Sequence, residues 1–141
     1  MTDRRASTTW TGDLARGTGT VTLESSGAGK FDVSWPSRSE DPDGLTSPEE
    51  LIAAAHSSCY SMQLSHMIGE AGGTPNQIDT TAAVTLIVGE GIIKIALTCR
   101  ASVDGMDEAA FQQTAQGAKG QCPVSGLFKA NTEITLDASL V

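Results

Sequence analysis

The segment Ser47–Gly72, SPEELIAAAHSSCYSMQLSHMIGEAG, constrains the fold more than any other part of the chain. Ser47 is a good N-cap, Pro48 sits where a helix tolerates a missing N–H, and Glu50 is placed to complete an S-x-x-E capping box. Glu49 and Glu50 suit the positive end of the helix dipole. Gly69, Gly72 and Gly73, with Pro75 just beyond, stop the helix around Ala71. A helix from Pro48 to Ala71 spans roughly 36 Å, long for a chain of 141 residues. Between Leu51 and Ile68 there is no Asp, Glu, Lys or Arg, and apolar or small residues occupy every side of the wheel. Such a helix is normally buried on most of its faces. His56, Ser57, Ser58, Ser61, Gln63, Ser65 and His66 make it too polar for a membrane span.

The rest of the chain reads as support for this rod. Ala6–Thr11 and Gly17–Ser25 are β-rich runs joined by GDLARG, a hairpin, and Lys30–Trp35 is a third strand with Phe31, Val33 and Trp35 on one face. Ser37–Thr46, SRSEDPDGLT, reads as a polar loop that carries Arg38. Beyond the central helix, Ile78–Val88 and Ile92–Val103 form a longer hairpin, with Ile93, Ile95, Leu97, Cys99, Ala101 and Val103 facing one way. Met106–Lys119 has helical spacing with Asp104 or Asp107 as cap. Gly120 ends it, and a short helix restarts over Gln121–Lys129 with Pro123 at its first position and Cys122 as N-cap. Thr132–Leu140 alternates as a closing strand. The order predicts a single α+β domain, residues 1–141, with mainly antiparallel pairing around a long central helix.

Charge narrows the function. A net charge of −8 and a pI near 4.5 argue against nucleic acid or an anionic membrane surface as partner. The N-terminus MTDRRASTTW has no apolar stretch after its basic residues, so no secretory signal is expected and the cytoplasm is the expected compartment. Three cysteines there should be thiols, and a disulfide between any two would be catalytic or redox-sensing rather than structural. No CxxC pair is present, which weakens zinc-ribbon and thioredoxin-type readings.

Cys99, on the apolar face of a strand, reads as a small buried hydrophobe. Cys122, at a helix start, would have its thiolate favoured by unpaired N–H groups, although a buried structural role fits its position equally well. Cys59 lies well past the first turn of its helix, beyond the reach of the dipole. A reactive thiolate at Cys59 needs a cation from elsewhere. His56, one turn earlier, would make a Cys–His pair suited to nucleophilic catalysis, but a helix histidine is more often held by a structural hydrogen bond. Arg38 is the better source, being always charged and able to pair with a carboxylate at the same time. Metal binding by His56, Cys59 and His66 fails because His66 lies roughly 10 Å up the axis from Cys59.

Two stretches, TSPEELIAAAHSSCYSM around Cys59 and GQCPVSGLFKANTEITLDASL around Cys122, together with TTWTGDLARGTGTVTLESSG and WPSRSED, resemble the OsmC/Ohr family over nearly the whole chain, and PEELIAAAH is closer to its OsmC branch. Those proteins are thiol peroxidases that destroy organic hydroperoxides. The resemblance implies that Cys59 is the peroxidatic cysteine and Cys122 the resolving one. It implies an arginine that holds the thiolate and a glutamate paired to it, matched by Arg38 and Glu49, with Arg16 as a second possible arginine. It also implies an intertwined homodimer, no metal, haem or flavin, and a dithiol reductant such as a lipoyl protein, thioredoxin or a small thiol. Glu49 and Cys59 are about 15 Å apart along one helix and roughly 80° around it, so a site that uses both needs a second copy. The substrate pocket is expected to be apolar, lined by residues such as Ile52, Met62, Leu127 and Phe128. A redox sensor or binding module without turnover is the competing class.

Overall fold

A computed structural model describes all residues, Met1–Val141. The chain divides into two compact units, Met1–Leu51 and Ile52–Val141. In the first, β1 (Ser7–Thr11), β2 (Thr18–Thr22) and β3 (Lys30–Ser34) form an antiparallel sheet in the order β1-β2-β3. Val21 is buried, and Gly19 and Gly17 are buried beside the Trp10 ring, where a Cβ would collide with it. Trp35 does not extend β3 as its β-forming side chain suggested: Ser34 and Ser37 cap each other and start a short helix, α1 (Trp35–Ser39), with Pro36 in its first turn. The expected polar loop therefore begins as a helix, and Arg38 sits in its last turn.

The predicted central helix is α2 (Pro48–Glu70). The Glu50 N–H donates to Ser47 Oγ, as an N-cap requires, but the Glu50 carboxylate accepts from the Thr46 hydroxyl instead of closing the box. At the far end Gly72 adopts φ +84°, the Gly72 N–H reaches Gly69 O and the Gly73 N–H reaches Ile68 O. This is a Schellman ending, in which glycine meets the left-handed backbone without strain.

The second unit holds a long hairpin, β4 (Thr74–Ile87) with β5 (Gly91–Asp104), followed by α3 (Glu108–Gln121), α4 (Pro123–Phe128) and β6 (Glu133–Leu140). Both strands of the hairpin begin earlier or run longer than their β-branched runs indicated. A register shift between Thr85 and Leu86 rotates Ile93 out of the inward row, so it is exposed while Ile95, Leu97, Cys99 and Ala101 are buried. Strand order is β4-β5-β6, and β6 pairs parallel to β5. A strand that returns after a helical excursion can lie parallel, which departs from the otherwise antiparallel pattern. Asp107 caps α3 by accepting from the Ala110 N–H.

One stripe of α2, Tyr60, Leu64 and Ile68, meets Phe111, Ala115 and Ala118 of α3 and the inward row of β5 in a single core, with His56 buried on the same stripe one turn before Tyr60. The Tyr60 hydroxyl donates to Ala115 O at 3.3 Å. Burial in this core pushes the Tyr60 phenol well above its ordinary value and also raises the Cys99 thiol. Ala54, Ala55, Ser58, Met62 and His66, on the remaining sides of α2, are exposed in the single chain.

Candidate active site

In the second unit α2 and the start of α4 bring two of the three cysteines together. Cys59 is half-buried and Cys122 buried, both are free thiols, and the Cys122 S–H donates to Cys59 Sγ at 3.3 Å. Cys122 is the N-cap of α4 with Pro123 next, as the sequence predicts, but its own side chain makes no cap hydrogen bond. The helix start acts elsewhere: the backbone N–H of Val124 draws the Cys59 pKa down. Sequence reasoning gave the favourable N–H groups to Cys122 and found none for Cys59, because only the packing of α4 on α2 reveals which sulfur they face.

Burial is the largest influence on the Cys59 thiol and pushes its pKa up from the ordinary value, with the Val124 N–H acting in the opposite direction. One N–H does not offset that cost, so a thiolate at neutral pH needs a cation besides.

His56 makes no pair with Cys59. Its Nε2 lies 2.8 Å from Ser125 Oγ, its ring packs tilted against Phe128 with centroids 6.4 Å apart, and its Nδ1 is buried without a partner. Burial pushes the His56 pKa below 6.5, so the folded protein holds a neutral ring while the unfolded chain takes up a proton below that pH. Stability from the neutral ring is therefore present above about pH 6.5 and declines below it. Unfolding free energy measured by urea titration should fall as the pH drops below about 6.5, and His56→Gln should flatten that slope. The exposed carboxylates Asp13, Glu108 and Asp137 are held below their usual values by Arg16, by Gln112 with the Leu140 N–H, and by Arg100. Their contributions are present above the ordinary carboxylate range and are lost only lower, below about pH 4.

In the first unit Arg38 and Glu49 form a forked pair. Arg38 Nε donates to both Glu49 carboxylate oxygens at 3.1 and 3.2 Å, and Nη2 donates to Oε1 at 2.8 Å. Glu49 is 8% exposed. The Arg38 guanidinium also lies 6.0 Å from the Trp35 ring centre. Arg16 is instead paired locally with Asp13 and is almost fully exposed. Of the residues expected to line a pocket, Met62 and Leu127 are strongly exposed, Ile52 and Phe128 pack against the core, and Met62 borders a shallow depression with Ser61, Ser65 and Pro75–Ile78.

The sequence and the α+β framework are shared with known proteins. Residues 41–137 match the family model described as OsmC-like protein, and the chain belongs to the OsmC family. Proteins named Peroxiredoxin OsmC from Escherichia coli (strain K12) and from Shigella flexneri are each 49% identical to it over 134 residues, covering 93% of this chain and 92% of theirs. Among solved structures, an organic hydroperoxide resistance protein from Elizabethkingia anophelis, with crystallant-derived thiocyanate bound, is 25% identical with a TM-score of 0.71 over 99% of both chains. No helix is long and apolar enough to cross a membrane.

Proposed function

We propose that the chain is a cysteine-based peroxidase that reduces organic hydroperoxides to alcohols, with residues 1–141 acting as one peroxidase domain. The observation that carries this reading is the pair of free thiols with sulfurs 3.3 Å apart. The names of the relatives as peroxiredoxins and of the Elizabethkingia protein as an organic hydroperoxide resistance protein support it.

In the proposed sequence the Cys59 thiolate attacks one oxygen of the peroxide. The O–O bond breaks, Cys59 becomes a sulfenic acid, and the alkoxide leaves and takes a proton to become an alcohol. The Cys122 thiolate then attacks the Cys59 sulfur, hydroxide departs and is protonated to water, and a Cys59–Cys122 disulfide remains. A dithiol reductant (a lipoyl protein, thioredoxin or a small thiol) restores both thiols by exchange and is itself oxidised. Arg38 and Glu49 enter the proposal through the family resemblance: a guanidinium held by a buried carboxylate is the fixed cation that the raised Cys59 thiol requires. Neither metal nor organic cofactor takes part. Free thiols suit a reducing compartment, so the cytoplasm belongs to the same proposal.

The active form is proposed to be a homodimer. The exposed sides of α2 carry Ala54, Ala55, Ser58 and Met62 rather than charges, the composition of a face covered by a second copy. Light scattering should give twice the chain mass at micromolar concentration, and a folded, fully active monomer would exclude the dimer.

The deciding experiment is steady-state turnover of cumene hydroperoxide and hydrogen peroxide with a dithiol reductant. Organic peroxide should be consumed faster, and Cys122→Ser should still oxidise once at Cys59 but turn over at least about tenfold more slowly with a dithiol. Oxidation in a single turnover without steady-state flux would instead point to a redox sensor.

A further inference from the structure

His56 and Ser125 are the most completely buried polar pair in the second unit, at 0% and 3% exposed, and the proposed chemistry uses neither. Their placement repeats that of the sulfurs. His56 stands one helical turn before Cys59 on α2, and Ser125 stands one turn after Cys122 on α4. The His56–Ser125 hydrogen bond at 2.8 Å and the Cys59–Cys122 contact at 3.3 Å are therefore neighbouring rungs between the same two segments.

Helix α4 is only six residues long and has no side-chain cap. A helix so short does not hold itself together, because each turn fixed returns few hydrogen bonds. Its position depends on what ties it down, and the thiol that touches the Cys59 sulfur, Cys122 Sγ, comes from its start. The buried ring also settles its own direction of bonding. A bare lone pair is a smaller cost than a buried N–H without an acceptor, and Nδ1 is the atom without a partner. Nε2 then carries the proton and donates to Ser125 Oγ.

We propose that the His56–Ser125 hydrogen bond is a positioning latch for the resolving step, holding the start of α4 against α2 so that the Cys122 sulfur stays within reach of the Cys59 sulfur. The inference rests on the reading of Cys59 as the oxidised and Cys122 as the resolving thiol. Sulfurs 3.3 Å apart need little travel to reach the disulfide length of about 2.05 Å. Attack by one positioned group on another is the kind of step in which a displacement of about 1 Å can cost up to a hundredfold in rate.

The test treats reduced protein with one equivalent of cumene hydroperoxide and follows two products by mass spectrometry: the Cys59–Cys122 disulfide and the dimedone adduct of the Cys59 sulfenic acid. The wild type should close to disulfide with little adduct. Ser125→Ala should still oxidise Cys59 but form the disulfide about tenfold or more slowly, with the adduct as main product. His56→Gln, which keeps an N–H donor, should retain most of the closure rate, whereas His56→Leu, which fills the space without a donor, should behave as Ser125→Ala does. A merely structural role would lower the thermal midpoint of both His56 variants without separating their product ratios. Disulfide closure in Ser125→Ala and His56→Leu within twofold of wild type would overturn the latch. A parallel arm uses diamide, which joins dithiols without peroxide. If peroxide leaves wild-type Cys59 reduced, the peroxidase reading fails, while the diamide closure rates of the same variants still decide the latch.

Discussion

Cys59→Ser should remove peroxide consumption altogether, by roughly a thousandfold or more, which corresponds to at least about 4 kcal/mol of barrier. The reason lies in the atom replaced. A sulfur lone pair can attack the O–O bond and carry the transferred oxygen as a sulfenic acid, whereas a serine hydroxyl is a far weaker nucleophile and forms no such product. Neither remaining thiol can take over. Cys99 is fully buried in the sheet core and raised by that burial, and Cys122 is itself buried, at 1% exposed. Because Cys59 is only half-buried and the replacement is small, the unfolding midpoint should stay close to that of the wild type. Loss of activity with an unchanged midpoint is the expected pair of results. Activity above about a tenth of wild type would assign the chemistry to another group.

The second large effect concerns Arg38, and its sign depends on which partner is removed. Arg38→Ala leaves the Glu49 carboxylate, 8% exposed, without the fork that neutralises it. Breaking a buried pair by removing one charge costs about 3–5 kcal/mol when both are fully desolvated. The Arg38 side chain is 34% exposed, so about 2–3 kcal/mol is expected here. Glu49→Ala should cost less, about 1 kcal/mol, since the guanidinium left behind can turn to water and keep its place over Trp35. Arg38→Lys should recover only part of the stability, because an ammonium cannot make the fork. Urea unfolding of the three variants checks this order, and equal losses for Arg38→Ala and Glu49→Ala would contradict it. All three should also turn over peroxide more slowly under the proposed mechanism. Arg38→Ala is expected to be the slowest, as it removes the cation itself.

Much of this was legible in the chain because the signals are local. Ser47 and the Gly72–Gly73 pair bound α2 by their caps, Asp107 starts α3 and Pro123 starts α4 behind Cys122, each through a hydrogen bond or backbone restriction set within a few residues. The strands of both hairpins follow from β-branched alternation. What escaped depends on partners distant in the sequence. Trp35 has the propensity of a strand residue, yet the reciprocal caps of Ser34 and Ser37 turn the chain into α1 and carry Arg38 with it. The parallel pairing of β6 is decided by where α3 and α4 return the chain, which alternation in Thr132–Leu140 does not encode. The thiols show the same division. Cys59 and Cys122 were recognisable by their motifs, whereas the contact of their sulfurs and the Ser125 hydroxyl on His56 exist only once α4 lies on α2. The S-G-L-F run after Cys122 gave no reason to single out Ser125, because a serine in a helix usually faces solvent.

The most direct measurement is the mass of the peptides joined after reduced protein meets one equivalent of an organic hydroperoxide, digested without reductant. A Cys59–Cys122 linkage formed in step with the release of one equivalent of alcohol, leaving Cys99 as a free thiol, is the predicted result. Alcohol release with Cys59 still reduced, or a linkage that includes Cys99, would contradict it.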